Sequence, residues 1–228
     1  MTWNDFKESL LRFANPWRAT NPETVDAPAP AGQVRRFDRD RFFQSYRQTF
    51  GSLTQSQVSG LNFLLDSFEA QPEWRDRRHI SYALATIRHE TARTYQPIEE
   101  RGSASYFSRY DGNRALGNTR PGDGARFKGR GYVQITGRRN YTYFSSRLRA
   151  DLINHPEATL VPLTAFAIMT IGMHEGRFTG RKLSDYINMG AVDFVNARRV
   201  INGLDSAQVI AAYAHTFDSI LRMSEVKE

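Results

Sequence analysis

One glutamate in this chain stands where its carboxyl group could donate a proton. Glu90 follows His89 near the end of a predicted amphipathic helix, 77–91. A carboxyl group that lies near a helix C-terminus and is partly removed from water should have a raised pKa, because both effects disfavour the anion. A general acid at neutral pH needs such a group. The alternative interpretation is a solvated glutamate at a helix end, paired with Arg88 or Arg93.

A second carboxyl group is available close by in the sequence. Glu99 and Glu100 follow Glu90 by nine and ten residues. Hydrolysis of a glycosidic bond needs two carboxyl groups, one as the acid and the other as a base or a nucleophile. One of the pair could face Glu90 across a cleft, although spacing alone does not give the distance. The alternative interpretation is an exposed acidic pair that balances Arg101.

A polar segment bounded by glycines, 129–137, could form the wall of such a cleft. We predict a strand of a small β-hairpin from Tyr132 to Thr136. Alternation along the strand would place Tyr132, Gln134 and Thr136 on one face, where they could bind a sugar or a water molecule. The cations and aromatic rings around this segment would suit a single-stranded nucleic acid or an acidic glycan equally well.

The composition excludes several kinds of site. The chain has no cysteine, so it holds no disulfide, no thiolate metal site and no cysteine nucleophile. Its histidines lack the spacing of a metal site, and we expect neither a metal nor a cofactor. The formal net charge of +7 should attract polyanions, but it does not choose between nucleic acid, anionic lipid and an acidic cell wall.

Apolar periodicity predicts a mainly helical fold interrupted by one polar, glycine-rich segment, 102–137. Such an interruption suggests two helical lobes with a cleft between them. The first predicted helix is marked by Phe42, Phe43, Tyr46 and Phe50, and Ser206 is a plausible N-cap of the last one. The other predicted helices are 54–69, 77–91, 141–149, 163–173, 191–201 and 206–223.

Residues 1–36 are predicted to be an appendage to a single domain, 37–228. The appendage begins with an amphipathic helix, which either packs on the domain or docks on a partner or a membrane surface. A linker rich in proline and alanine follows. The longest apolar run of the chain, 163–173, is too short to cross a bilayer. The N-terminus lacks the apolar core of a secretory signal, so we expect the protein to remain in the cytoplasm unless it is released.

Three motifs of this chain resemble glycoside hydrolase family 19 and, more closely, the bacteriophage endolysins related to those chitinases. They are His89-Glu90-Thr91, the stretch from Gly129 to Asn140-Tyr141, and Ile201-Asn202-Gly203. The run from Leu116 to Gly131 is typical of the phage branch. The resemblance extends from about Phe37 to the C-terminus. The chain departs from the chitinase pattern at Tyr132, Thr136 and Leu204, where proline, serine and glycine are usual.

The resemblance implies a lysozyme-like, mostly helical fold and hydrolysis of β-1,4 bonds next to N-acetylated sugars. It assigns the role of acid to Glu90 and favours Glu99 as the base, since a glutamate nine residues after the first is common in the phage branch. Glu100 is the alternative base, and Thr136 would help to hold the attacking water. The substrate-binding residues would be His89, Tyr132, Gln134, Asn140, Tyr141 and Asn202.

The expected function is therefore that of a monomeric phage-type endolysin, an inverting hydrolase that binds peptidoglycan strands rather than nucleic acid. Without an export signal it would stay in the host cytoplasm until a separate holin-type protein released it to the periplasm and the cell wall. The alternatives are a chitinase, a lytic transglycosylase that needs only Glu90, and a wall-binding virion component without catalytic activity.

Overall fold

The structure, a computed structural model, describes residues 36–226. The predicted N-terminal helix and the linker up to residue 35 lie outside the described residues, and the proposed domain boundary stays a prediction. The α-helices of the described part are α1 (Arg39–Phe50), α2 (Gln55–Ala70), α3 (Arg77–Glu90), α4 (Ala104–Ser108), α5 (Asp123–Arg126), α6 (Arg138–Leu148), α7 (Pro162–Glu175) and α8 (Ala207–Ser224). Short 3-10 helices cover Pro72–Trp74, Arg114–Leu116, Pro156–Leu160, Leu183–Asp185 and Asn196–Val200.

Polar side chains start the first three helices. Asp38 and Asp76 each accept a hydrogen bond from a backbone N–H in the first turn of α1 and α3. Thr54 and Gln57 form a reciprocal capping box at the start of α2. These caps fix where each helix begins, including α3, the helix that ends with Glu90.

The core lies where α3 packs against α8 and where α1 packs against the same helix. The α7 helix is buried on nearly every side, as its uniformly apolar sequence predicts. Trp74 joins α7 to the rest of the core, since its indole N–H donates a 3.0 Å hydrogen bond to the hydroxyl of Thr170. A buried indole with its polar atom satisfied is a stable arrangement.

The β-structure is small and differs from the predicted strand. The strands β1 (Ile98–Glu99) and β2 (Arg130–Gly131) pair antiparallel, with Ile98 opposite Gly131 and Glu99 opposite Arg130. Arg130 also exchanges two backbone hydrogen bonds with Ile135, which closes a tight hairpin. The predicted strand from Tyr132 to Thr136 is therefore wrong. The chain reverses direction between these residues because Gly131 and Gln134 adopt positive φ angles of 94° and 53°.

Most helix predictions are confirmed. Those at 54–69, 77–91, 163–173 and 206–223 match α2, α3, α7 and α8 to within two residues at each end, and α6 begins three residues before the predicted 141. Ser206 stands at the N-cap position of α8, but its side chain makes no capping hydrogen bond. None of the helices in residues 36–226 is long and apolar enough to span a bilayer.

The helix predicted at 191–201 is wrong. Only Asn196–Val200 is helical there, and it is a 3-10 helix. The turn starts late because Val192 bridges to Ile187 and because the Asp193 carboxylate accepts a hydrogen bond from the backbone N–H of Asn196. The apolar spacing misled the prediction: Phe194, Ala197 and Val200 are buried at intervals of three, which suit a 3-10 helix as well as an α-helix.

Candidate active site

The segment between α3 and α6 borders a groove with a cavity volume of about 740 Å³. The groove begins just beyond the C-terminus of α3, where Thr91 lines it, and it continues along β1. Several of the lining residues carry groups that could bind or react: Thr91, Glu99, Glu100, Arg101, Lys128 and Gln134. The candidate base and its alternative thus share one cavity, and Glu90 directly precedes one of the lining residues.

Glu90 is the last residue of α3, and an arginine binds its carboxylate. Its Oε1 accepts a 2.6 Å hydrogen bond from Nη1 of Arg198. The Arg198 side chain is buried, while Glu90 keeps 18% of its side-chain surface exposed. Nε of Arg198 donates to the backbone carbonyl of Asp205, which fixes the guanidinium. The partner of Glu90 is therefore Arg198 and not Arg88 or Arg93, and it holds the carboxylate in one orientation.

Glu99 lies in β1, and both of its carboxylate oxygens bind cations. Oε1 is 2.6 Å from Nζ of Lys128, and Oε2 accepts a 2.6 Å hydrogen bond from Nε of Arg130. The second contact follows from the register, since Glu99 and Arg130 are direct neighbours across the two strands. Partial burial raises the pKa of Glu99, but the hydrogen bonds and charges of Lys128 and Arg130 outweigh it and lower the pKa below its ordinary value. Glu99 is thus an anion at neutral pH.

Glu100 binds neutral donors instead. Its Oε1 accepts hydrogen bonds from the phenols of Tyr106 at 2.9 Å and Tyr110 at 3.3 Å. Its Oε2 accepts a 2.9 Å hydrogen bond from the backbone N–H of Gly129. The two neighbouring carboxylates therefore sit in different surroundings. The alternative of an exposed acidic pair that balances Arg101 is not what the structure has, because both carboxylates are half-buried and bound by other groups.

Of the three residues predicted to share one face of a strand, Gln134 alone lines the groove among the described residues. Its amide Nε2 donates to the backbone carbonyls of Ile98 and Gly131, each at 2.9 Å. Gln134 thereby ties the hairpin to β1. The hydroxyl of Thr136 donates to the Gln134 carbonyl at 3.2 Å, and the ring of Tyr132 is buried in the core rather than on the groove surface. Tyr132 was expected to bind a sugar, but its ring packs in the core.

Tyr141 and Asn140 also act on the protein rather than on the groove surface. The Tyr141 ring is buried, and its hydroxyl accepts a hydrogen bond from Nη1 of Arg130 and donates to the backbone carbonyl of Lys128. Tyr141 thus positions the arginine that binds Glu99. The Asn140 amide donates to the carbonyl of Thr136 at 2.9 Å and closes the start of α6.

His89 and Asn202 do not line the groove in the part of the chain that the structure describes. His89 is half-buried in the last turn of α3. Asn202 is exposed, its side-chain oxygen accepts a hydrogen bond from the N–H of Gly203, and its own N–H donates to the carbonyl of Arg198. Asn202 therefore lies beside the turn that carries the partner of Glu90, and its predicted contact with substrate stays a prediction.

The loop that joins α3 to β1 has an uncommon backbone. Ala92, Arg93 and Tyr95 have positive φ angles of 49°, 69° and 55°. Side chains other than glycine rarely adopt this conformation, and it persists only where the surroundings enforce it. Thr91, Ala92 and Thr94 line the groove, so the strained backbone is part of the groove itself.

Three cations that hold the carboxylates were not assigned to the site from the sequence. Arg130 lies within the predicted polar wall, which Lys128 directly precedes, and a pairing of β2 with β1 would have revealed both. Arg198 gave no signal, since it is 108 residues from Glu90 and lies in a turn that was predicted as an α-helix. In residues 36–226 no group of three or more His, Cys, Asp or Glu side chains is placed to hold a metal ion.

Comparisons with known proteins found similarity in structure but not in sequence families. No protein-family model matches the chain, and no curated protein sequence does. Among solved structures, chitinase C from Streptomyces griseus HUT6037 matches with a TM-score of 0.57 at 19% identity, over 90% of this chain and 83% of that chain. A mutant of chitinase C matches with a TM-score of 0.54 at 17% identity, over 85% of this chain and 95% of that chain.

At this identity the similarity shows a common fold and no more. The described domain has the architecture of chitinase C, which confirms the predicted α-rich, lysozyme-like fold.

Proposed function

We propose that this chain is a glycoside hydrolase that cleaves β-1,4 bonds in the glycan strands of bacterial peptidoglycan. One observation carries the proposal. A groove that Glu99 and Glu100 line starts at the residue after Glu90, in a domain with the fold of chitinase C. Two carboxyl groups at one groove are the minimum that glycoside hydrolysis requires.

The proposed reaction uses Glu90 as the acid and Glu99 as the base. Glu90 gives the proton from its Oε2, the oxygen that Arg198 does not bind, to the glycosidic oxygen as the bond from that oxygen to the anomeric carbon breaks. Glu99 takes a proton from the water whose oxygen attacks that carbon, and the configuration there inverts. Each oxygen of Glu99 already accepts one hydrogen bond and retains a second lone pair for the water. Gln134, which lines the groove, would hold the water or the sugar.

Glu99 is proposed over Glu100 because a glutamate nine residues after the first is common in the phage branch that the motifs resemble. A base must be ionised before the substrate arrives, and two cations keep Glu99 in that form. Glu100 is bound by two phenols and one backbone N–H, none of which carries charge. Glu100 is the alternative base if the water proves to lie on its side of the groove.

Peptidoglycan is proposed as the substrate because of charge. The chain carries a formal net charge of +7, and the bacterial wall is a polyanion. Chitin has no such charge. A chitinase is nevertheless a second candidate, since the matched structures are those of chitinase C.

The biological role that fits peptidoglycan cleavage is that of a phage-type endolysin. We propose that the protein acts as a monomer on the wall, that it reaches the periplasm after a holin-type protein permeabilises the membrane, and that cleavage leads to host cell lysis. The run from Leu116 to Gly131 supports this role, because it is typical of the phage branch that the chain resembles.

Turnover on two purified substrates tests the proposed function. New reducing ends would be counted on peptidoglycan and on chitin oligomers at equal glycosidic-bond concentration. We expect turnover on peptidoglycan to be at least about tenfold faster, a difference of about 1.4 kcal/mol in transition-state stabilisation. Faster turnover on chitin would replace the peptidoglycan proposal with the chitinase candidate.

A further inference from the structure

Among the described residues that line the groove, one cation is not used by the protein itself. Lys128 is bound to Glu99, and Arg130 binds the other oxygen of the same carboxylate. Arg101 lines the groove as well, and its side chain makes no hydrogen bond, ion pair or ring contact with any other residue of the part described. It is exposed to solvent. The guanidinium is therefore available to a ligand in the groove.

The neighbour in sequence does not occupy this arginine. Glu100 precedes Arg101 directly, but its two oxygens accept hydrogen bonds from Tyr106, Tyr110 and the N–H of Gly129. Three neutral donors thus satisfy a carboxylate that could have balanced Arg101. Within the described residues, Arg101 is therefore an unpaired positive charge next to two carboxylates, Glu99 and Glu100, that other groups already bind.

An arginine in this position favours a particular chemical group on the ligand. A guanidinium presents parallel N–H donors that match the two oxygens of a carboxylate, and this bidentate pair is stronger and more directional than a hydrogen bond to a neutral hydroxyl. The neutral hydroxyl and acetamido groups of chitin offer no charge to pair with it.

We propose that Arg101 is a specificity-determining residue that binds a carboxylate of the glycan strand and so selects acidic strands over neutral ones. The inference rests on the proposed function, because it assigns to the same groove the part of the substrate that distinguishes peptidoglycan from chitin. The inference goes beyond the overall charge of the molecule, because it assigns one contact with the substrate to a defined place in the groove.

Two sources of carboxylate occur on peptidoglycan, and they can be separated chemically. In intact strands the lactyl groups are tied up as amides, so the free carboxylates belong to the peptide stems. Amidase treatment removes the stems and frees the lactyl carboxylates. Coupling either material to a neutral amine with carbodiimide converts its carboxylates to amides and leaves the sugars unchanged.

The test is an affinity measurement that does not depend on turnover. Glu90→Gln protein would be titrated with soluble strands of matched length: intact, amidase-stripped, the amidated form of each, and chitin oligomers. With Arg101 present we expect the carboxylate-bearing strand that fits the site to bind about tenfold more tightly than its amidated form. With Arg101→Gln added, this ratio should fall towards one, and with Arg101→Lys it should be partly retained because the charge remains.

A matched control removes the same charge elsewhere. Arg222 is exposed near the end of α8 and does not line the groove, so Arg222→Gln measures the effect of net charge alone. The proposal predicts that Arg222→Gln leaves the affinity ratio unchanged. It is overturned if Arg101→Gln keeps the ratio, if it weakens charged and amidated strands equally, or if Arg222→Gln lowers the ratio as much.

Failure of this inference and failure of the proposed function give different results. If the unsubstituted protein cleaves peptidoglycan but the ratio does not depend on Arg101, the assignment of Arg101 is wrong and the proposed function stands. If that protein cleaves chitin alone and binds charged and amidated strands equally, both are wrong.

Discussion

Two cations hold the Glu99 carboxylate, and this arrangement has a consequence for the pH at which the proposed base works. Burial raises the pKa of Glu99, while Lys128 and Arg130 lower it further than burial raises it. A base loses activity as the pH falls through its pKa in the folded protein. The lowered pKa therefore moves the acidic limb of the pH profile to lower pH.

Replacing Lys128 with methionine should move that limb back towards neutral pH. The substitution removes the cation at Glu99 Oε1 and leaves Arg130 at Oε2, so the pKa of Glu99 should rise. We expect kcat/KM to fall several-fold on the acidic limb and to change little on the plateau. The measurement is kcat/KM against pH for Lys128→Met and for Arg222→Gln, which removes a distant charge. An acidic limb that moves equally in both variants, or in neither, would rule out Glu99 as the titrating base.

At this scale candidate catalytic carboxyl groups could be read from the sequence, but the side chains that bind them could not. Glu90, Glu99 and Glu100 could be proposed because their spacing, and the resemblance of His89-Glu90-Thr91 to a known motif, can be read from the sequence itself. Lys128 and Arg198 could not be assigned, because each meets its carboxylate through the tertiary fold. Tyr141 was predicted to bind substrate, and in the structure its hydroxyl accepts a hydrogen bond from Arg130. A sequence motif does not show which group a side chain contacts.

Among the elements, the loop between α3 and β1 depends on a buried polar cluster. The Tyr95 hydroxyl lies 2.6 Å from that of Tyr46 and accepts a 2.9 Å hydrogen bond from Nη1 of Arg88. The Arg88 guanidinium stacks over the Phe50 ring at 4.0 Å. The loop also fits tightly against α2, where a Cβ at Gly60 would lie 2.4 Å from the Tyr95 carbonyl oxygen. The positive φ angles of the loop are held by these contacts.

Tyr95→Phe should destabilise the domain and loosen the groove together. The substitution removes a buried hydrogen bond to a charged group, and we expect a loss of about 1 to 2 kcal/mol in the free energy of unfolding. Urea denaturation measures this loss, and kcat/KM should fall with it because the loop lines the groove.

Tyr186→Phe is the matched control for this prediction. The Tyr186 hydroxyl makes no hydrogen bond within the described residues, so its removal should cost less than about 0.5 kcal/mol. Equal stability of Tyr95→Phe and Tyr186→Phe would show that the cluster does not hold the loop.

Elements with a strong local signal were predictable, and those that depend on distant pairing were not. The α7 and α8 helices were found because long apolar patterns are local properties of the sequence. The strand was misplaced because β2 is defined by its pairing with Ile98 and Glu99, far away in the chain. The turn at Asn196–Val200 was misread because its spacing fits two kinds of helix.

For the molecule as a whole, the two ends of the described domain are joined. Phe37 bridges to Glu225, and the N–H of Asp38 donates to the carbonyl of Ser224 at 2.8 Å. Arg77, in the first turn of α3, binds Asp218 at 2.8 Å and Glu225 at 3.5 Å. One arginine thus connects α3, which ends at Glu90, to the last turns of α8.

Arg77→Met should lower the stability of the domain without touching the groove. The substitution leaves two partly buried carboxylates without this partner, and we expect a loss of about 1 to 2 kcal/mol. In thermal unfolding this corresponds to a fall in Tm of roughly 2 to 8 °C. Arg222→Met serves as the control for charge, and kcat/KM below the transition should be unaffected in both variants. An unchanged Tm in Arg77→Met would mean that the ion pairs of Arg77 contribute little to the stability of the domain.

Mass spectrometry of the released fragments shows directly whether Glu90 catalyses hydrolysis of glycan strands. Purified peptidoglycan would be digested with the unsubstituted protein and with Glu90→Gln, which keeps the size of the side chain and removes its acid. We expect fragments with ordinary reducing ends from the former and a loss of at least about 10²-fold in release by Glu90→Gln. Full release by Glu90→Gln, fragments that end in 1,6-anhydro sugars, or no release by the unsubstituted protein would contradict this expectation.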